Sequence, residues 1–394
     1  MNCQELLHIL EKGEDSRHQF KEKFNSIDNL AVEISAFANT DGGKIIIGVA
    51  NDGKLTGLSK KEVDRLNQWI ANATTHKIDK PIFVKTEILI CEGKRILIIH
   101  VPLGLNKPYA VNRTDVWVKV GADKRRAPIE EVLRLAQTSG VVYADEMETS
   151  ATFDDFDLEF FEKRYQKFYQ EELGQLDVPV ERLLNNIKFM RNNRLTLAGL
   201  LISGKNPQRF VPQFGIKATH YSGSEISDNA FLDKEDIRGK LIETYKAGLA
   251  FIKRNLHRIQ RGDNFNVPGE LEIPYEAFAE ALANALVHRN YFIQAPVQIL
   301  LFGDRLEIVS PGNLPNAVNE ENIKFGIHIE RNPIILSFME KDPEFHYTGR
   351  GTGIPRVLKV CREAAIDVEF IDNKTTQTFK VIFKRPHNPN SSRK

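Results

Sequence analysis

Cysteine is scarce in this chain, with three in 394 residues. Cys3, Cys91 and Cys361 lie far apart, without a CxxC pair or a histidine cluster beside them. A structural zinc site and a disulfide framework are therefore both unexpected, and a reducing compartment fits. Long hydrophobic runs are also missing. No stretch approaches the ~20 apolar residues that span a bilayer, and Met1-Asn2-Cys3-Gln4-Glu5 shows no basic segment leading into an apolar one. Neither membrane insertion nor secretion is expected, and a cytoplasmic location is. Nor does charge of one sign dominate: 54 Lys and Arg against 53 Asp and Glu leave a net charge of +1, so any attraction for nucleic acid must come from a local surface. No internal repeat is visible.

What is present describes an ordinary globular chain. With 41% hydrophobic and 27% charged residues it is not a disordered one. At 44.9 kDa it exceeds a single compact core and predicts two or three domains. The expected class is α/β (α+β). Residues 1–140 read as a compact α/β unit, with amphipathic helices at Leu6–Leu10 and Leu30–Ala38. Strands follow at Lys44–Val49, Ile82–Ile90, Ile96–Val101 and Val116–Val120, and Asn51-Asp52-Gly53 makes a tight turn. The acidic, apolar-poor stretch Ala144–Thr152 reads as a hinge.

Residues 141–265 read as a mainly helical connecting region, comparable with a winged helix. Its stripe Phe156, Leu158, Phe160, Phe161, Tyr165 and Phe168 has core-facing spacing. Leu195–Ile202 fits a helix or a buried strand equally. Residues 266–386 form the third expected domain, and 387–394 a disordered tail.

Two patterns near the carboxy end carry chemistry. Glu280, Asn284 and His288 stand at i, i+4 and i+8, so on a helix they share one face, while Ala281, Leu282, Ala285 and Leu286 make the rest apolar. Such a polar trio on a buried helix calls for a ligand or for hydrogen-bonded partners. A satisfied polar seam between helices is the plainer alternative. Further on, Gly349-Arg350-Gly351-Thr352-Gly353 runs into the apolar helical pattern of Ile354, Val357, Leu358 and Val360. Glycine backbone and a helix amino end together suit a phosphate, although a flexible turn has the same composition.

In this order, and followed by the β pattern Phe379–Phe383, these segments resemble the ATP-binding domain of the gyrase, Hsp90, histidine kinase and MutL superfamily, the GHKL fold, over roughly residues 266–386. The resemblance implies an α/β sandwich that binds ATP with Mg²⁺. Asn284 would hold the metal against the phosphates, Glu280 would activate water, and Gly349, Arg350, Gly351, Thr352 and Gly353 would close over the triphosphate. His288, Gly312 and Arg331 complete the implied nucleotide site, with Arg350 or Arg331 near the terminal phosphate. One departure stands out. The strand Arg305–Val309 ends in Ser310-Pro311-Gly312-Asn313-Leu314-Pro315, which keeps the glycine but lacks the Asp that reads the adenine amino group. This SPGxLP form, with Arg331-Asn332-Pro333, is similar to the divergent ATPase-like region of a set of bacterial transcriptional regulators.

The amino-terminal segments Gly13–Lys21, Ala36–Gly43, Gly48–Gly53 and Thr56-Gly57 resemble the AlbA-type domain shared with Schlafen proteins, over about residues 10–130. The resemblance implies a nucleic-acid-binding module, and in members with three placed carboxylates a metal-dependent nuclease. Here Glu14 and Asp52 match two of those carboxylates, while Gln19 replaces the third. An amide adds no charge to a metal site, so a nuclease would be impaired. Residues 1–140 hold 21 Lys and Arg against 18 Asp and Glu, so clustering must supply the basic surface. Lys21, Lys23, Arg113, Lys119, Lys124, Arg125 and Arg126 are the candidates for phosphate contact. Tyr109 and Trp117 are candidates for base stacking, with core packing the alternative.

The expected function is therefore a cytoplasmic nucleic-acid-binding regulator of DNA or RNA whose conformation or homo-oligomeric assembly is biased by ATP and Mg²⁺. The alternatives are an enzyme, either a weak ATPase or an impaired nuclease, and a non-catalytic oligomerisation scaffold.

Overall fold

The computed structural model describes residues 1–140, 142–226, 231–259, 269–315, 318–326, 329–347 and 351–386. The tail expected at 387–394 lies outside the described residues. The chain divides into two compact units, Met1–Val142 and Tyr143–Lys394.

In the first unit the elements run α1 (Cys3–Lys12), β1 (His18–Lys21), α2 (Ile27–Asn39), β2 (Gly43–Ile47), α3 (Lys60–Asn72), β3 (Lys85–Cys91) and β4 (Lys94–Val101). The short β5 (Ala110–Val111), β6 (Asp115–Val120), β7 (Asp123–Arg126) and α4 (Ile129–Thr138) complete it. A four-stranded sheet in the order β1-β2-β4-β3 forms its centre, with β1 parallel to β2 and the other pairs antiparallel. The Asn2 and Glu5 capping box starts α1. Leu6 on that helix then packs with Phe20, Ile46 and Ile98 on one sheet face. On the other face Leu30, Ile34 and Phe37 of α2 pack with Ile45, Ile47 and Ile99. Asn39 ends α2 as a buried clamp. Its Nδ2 donates to the carbonyls of Tyr109 and Trp117 at 2.9 Å each, and its Oδ1 accepts from the Tyr109 amide at 2.8 Å. The helix is thereby tied to the β5-β6-β7 sheet.

The expectation of a chain without disulfides is overturned. Because α1 lies against β3, Cys3 and Cys91 meet with their Cα atoms 5.2 Å apart and are bonded. Only Cys361 remains free, and it is buried.

The second unit opens with α5 (Leu158–Tyr169), α6 (Val180–Asn186), β8 (Met190–Arg191), β9 (Arg194–Leu195) and α7 (Leu197–Ser203). It continues with β10 (Ile216–Tyr221), β11 (Phe231–Ile237), α8 (Leu241–Asn255), β12 (Arg258–Ile259), β13 (Glu270–Leu271) and α9 (Tyr275–Val287). The last elements are β14 (Val297–Leu301), β15 (Arg305–Pro311), α10 (Pro333–Met339), α11 (Gly353–Glu363), β16 (Val368–Asn373) and β17 (Thr378–Lys384).

Its main sheet has six strands in the order β11-β10-β14-β15-β17-β16. The segment 141–265 is therefore not a separate connector. Its β10 pairs in parallel with β14, Ile216 opposite Val297, and its helices share one core with everything up to Phe383. The physical reason is burial: β10 alternates Ile216, Ala218 and His220 inward, and β14 supplies the matching Val297, Ile299 and Leu301. The antiparallel pair β10-β11 at the edge of the six-stranded sheet also replaces the wing of the winged-helix comparison. Leu197–Ser203 resolves as helix, begun by Thr196 as cap and buried along its whole length. The aromatic stripe of α5 faces the core, where the Phe161 ring lies 5.4 Å from Phe156 and 5.7 Å from Phe189.

Candidate functional site

Helix α9, YEAFAEALANALV, is rich in alanine, the best helix former, and apolar nearly all round, the pattern of a helix buried on every side. It packs against α8, α11 and β15. Glu280 is carried into this interior and is only 2% exposed. Its Oε1 accepts from Asn284 Nδ2 at 3.0 Å, and the same amide group donates to the Glu280 carbonyl at 2.8 Å. The other oxygen, Oε2, has no hydrogen-bond partner among the described residues, and its nearest cation is Arg356 Nη1 at 3.9 Å. Burial pushes the Glu280 carboxyl above the usual carboxylate range, against the opposing effects of Asn284 and Arg356. Leaving a buried polar atom unmatched costs about 1–3 kcal/mol.

A cleft of about 110 Å³ opens beside that carboxyl. Glu280, Asn284 and His288 line one wall, Gly351, Gly353 and Ile354 another, and Ile308, Phe379 and Val381 of the sheet form an apolar floor. The glycine run thus stands next to the polar helix face. Gly353, first residue of α11, approaches so closely that an added Cβ would sit 2.0 Å from Glu280 Oε1. Gly351 meets the carbonyl of Gly326 in the same way. The amino end of α11 consequently points at the buried carboxyl with no side chain between them.

The remaining implied residues divide. Gly312 lines the cleft at φ +108°, where only glycine is unstrained and where Asn290 Cβ leaves no room for another. Arg331 also borders the cleft, yet its guanidinium is committed to protein: Nη1 donates to the His288 carbonyl at 3.1 Å and Nη2 to that of Asn313 at 2.7 Å. Burial lowers its pKa to about 10. His288 ends α9, and its Nε2 lies 2.9 Å from the Tyr347 hydroxyl. Thr352 is the residue preceding α11, while Gly349 and Arg350 lie outside the described residues.

The sequence reading missed Tyr347 and Asp372. Asp372 holds the SPGNLP turn by accepting from Asn313 Nδ2 at 3.1 Å and the Leu314 amide at 3.0 Å. Nothing in the local sequence marks either residue, because each finds its partner 58 or 59 positions away.

In the amino-terminal unit the two expected carboxylates are both engaged with protein groups. Glu14 Oε1 accepts from the Phe20 amide at 2.6 Å and from Gln19 Nε2. Asp52 pairs with Lys54 at 2.8 Å in an exposed turn. No group of three His, Cys, Asp or Glu able to hold a metal occurs among the described residues. The basic candidates are unequal too. Lys119 is 5% exposed, with its ammonium on Gln19 Oε1 at 2.5 Å and on the Ala122 carbonyl. Lys124 pairs with the buried Glu33, Arg125 with Glu131 at 2.8 Å and Arg126 with Asp115 at 3.0 Å. Lys21 is half-buried, Lys23 and Arg113 are exposed, and none of the three forms an ion pair with a described residue. Tyr109 is core, and Trp117 packs against it with Arg126 over its ring.

No curated protein matches the chain. Two solved structures are similar at 20% identity. One is the DIP2311 protein of Corynebacterium diphtheriae, with 98% of this chain and 81% of that one covered at a TM-score of 0.48. The other is the N-terminal domain of the putative ATP-dependent DNA helicase RecG-related protein of Nitrosomonas europaea, with 33% of this chain and 95% of that one covered at a TM-score of 0.26. Among protein families, residues 294–383 match the one described as "Putative ATP-dependent DNA helicase recG C-terminal", a stretch that begins after α9. Residues 14–128 match the family described as Schlafen, AlbA_2. The two family matches fall one in each compact unit, the Schlafen, AlbA_2 match in the first and the recG C-terminal match in the second.

Proposed function

We propose that this protein is a nucleic-acid-binding regulator whose conformation or assembly is biased by a magnesium nucleotide, ATP in the first instance, held in the cleft between α9 and α11. One observation carries the reading: a buried carboxyl with an unmatched oxygen, flanked by an amide, faces the amino end of a helix whose first residue must be glycine. Bound magnesium would supply the positive charge that a triphosphate needs, and it typically takes only one or two protein ligands beside phosphate oxygens and water.

The residues present fit that role. Asn284 Nδ2 is held on Glu280, so its Oδ1 remains to face the ion. The amino end of α11 adds backbone N–H groups and a favourable dipole for the phosphates. Glu280, with its raised pKa, is placed to take a proton from water. The base is less specified. Glu280 is the one carboxylate among the described lining residues, so the phosphates and the apolar floor of Ile308, Phe379 and Val381 provide most of the recognition.

Linkage supplies the test. If nucleotide biases the nucleic-acid-binding state, saturating Mg-ATP changes nucleic-acid affinity at fixed salt, and nucleic acid changes Mg-ATP affinity by the same factor. Fluorescence anisotropy with labelled oligonucleotides, with and without Mg-ATP, reads the first factor and calorimetry the second. Two independent binding events, with no mutual effect, would remove the regulatory part of the reading.

A further inference from the structure

The basic candidates drawn from sequence leave one surface of the first unit unused. Across the four-stranded sheet, His18 of β1 lies opposite Lys44 of β2, Lys44 opposite His100 of β4, and His100 opposite Lys85 of β3. Cross-strand partners project from the same face. With strands about 4.8 Å apart, this row runs about 14 Å across the whole sheet. Two residues further along the same face, Ile46 and Ile98 are covered by Leu6 of α1. The row itself lies beyond that cover and lines an open groove together with Arg17, Asp41 and Phe83.

The charges in this groove are available. Arg17, Lys44 and Lys85 make no ion pair with any described residue. The acidic groups are already engaged: Asp15 holds His18 at 3.1 Å, Glu87 holds His100 at 3.2 Å and the amino terminus at 2.7 Å, and Asp41 is partnered. Phe83 stands at the edge with 87% of its surface exposed, between the buried Ile82 and the half-buried Val84. A large aromatic ring on the surface beside three unpaired cations has no packing role to explain it.

The geometry points to this groove as a binding track for single-stranded nucleic acid, with Arg17, Lys44 and Lys85 on successive phosphates and one unpaired base stacked on Phe83. This assignment rests on the proposed nucleic-acid binding and names the surface that does it. A positive track with an aromatic platform is the recurring physics of single-strand binding. A duplex offers the same phosphates but no free base face, so Phe83 contributes to single strands alone. The β7 patch differs, since each of Lys124, Arg125 and Arg126 already faces a carboxylate.

The test uses the full chain and labelled oligonucleotides, single-stranded and duplex, in a salt series. Wild-type protein should prefer the single strand. Phe83→Ala, at an exposed position, should weaken single-strand binding roughly 5- to 150-fold and leave the salt slope alone. The triple variant Arg17→Gln, Lys44→Gln, Lys85→Gln should flatten the slope by about 2, at about 0.7 per phosphate contact. Circular dichroism establishes that each variant is folded, and single substitutions replace the triple one if it is not. Binding that survives both variants unchanged but falls with Lys21→Gln, Lys23→Gln and Arg113→Gln would overturn the groove and leave nucleic-acid binding standing. Equal affinity for duplex and single strand with no effect of Phe83→Ala would overturn the stacking role. Absence of any wild-type binding would overturn the broader reading as well.

Discussion

In the proposed site Glu280 and Asn284, one helical turn apart, take different tasks from one environment. The carboxyl keeps one oxygen on the amide and leaves the other unmatched, and burial raises its pKa, so it suits proton transfer better than metal binding. Glu280→Gln keeps the shape and removes the basicity. Nucleotide binding should persist and any hydrolysis should disappear, as read by phosphate release; unchanged turnover would take Glu280 out of the chemistry. Asp145 is a second buried acid with a different role. Its Oδ2 accepts from the amides of Ile334 and Ile335 at 2.7 and 3.1 Å at the start of α10, and burial lifts its pKa from 3.8 to about 6. A rise of that size is worth roughly 3 kcal/mol. Because the folded state holds this proton more tightly than the unfolded one, that stability is present below about pH 4 and is lost as pH rises through about 6. The difference in urea-unfolding free energy between wild type and Asp145→Asn should decline over that window, and a flat difference would contradict the assignment.

At the scale of elements, the cleft exists because α9 and α11 approach through glycine. Gly353→Ala would drive a methyl group into Glu280 Oε1 and displace either the carboxyl or the helix end. The expected result is loss of nucleotide binding, tenfold or more by calorimetry, with the far-ultraviolet spectrum retained; unaltered affinity would place the ligand elsewhere. The helix itself was legible in the sequence, since the i, i+4, i+8 spacing of Glu280, Asn284 and His288 and the surrounding alanines leave few other readings. The glycine run was legible as a turn into a helix for the same local reason. What stayed hidden was long-range. Arg331 reads locally as a free phosphate ligand, yet it brackets two carbonyls supplied by chain 18 and 43 residues away. Lys119 reads as a surface cation on a strand but finds Gln19 in the interior, 100 residues back. Leu195–Ile202 gave no periodicity to separate helix from strand, and the packing of its seven-residue helix decided the matter. The Cys3 and Cys91 pair was invisible for a similar reason, as only the laying of α1 against β3 brings them together.

For the whole molecule, two compact units matter more than three sequence segments. The first unit closes its sheet between α1 on one face and α2 with α3 on the other, and the second builds one core from Ala144 to Phe383. The chain from 143 to 394 should therefore fold alone and bind nucleotide as the full protein does, whereas a fragment starting at 266 would lose β10, β11 and α8 and should not fold. Cooperative urea unfolding of the two fragments distinguishes these outcomes, and a stable 266–394 fragment would contradict the shared core. Among the described residues no helix is long and apolar enough to cross a membrane. The central claim is that a magnesium nucleotide lodges between α9 and α11, and calorimetric titration of the full chain tests it most directly. Mg-ATP should bind at one saturable site, weakly or not at all without the metal, and Asn284→Ala should abolish the magnesium dependence. Absence of binding heat, or identical curves for wild type and Asn284→Ala, would contradict it.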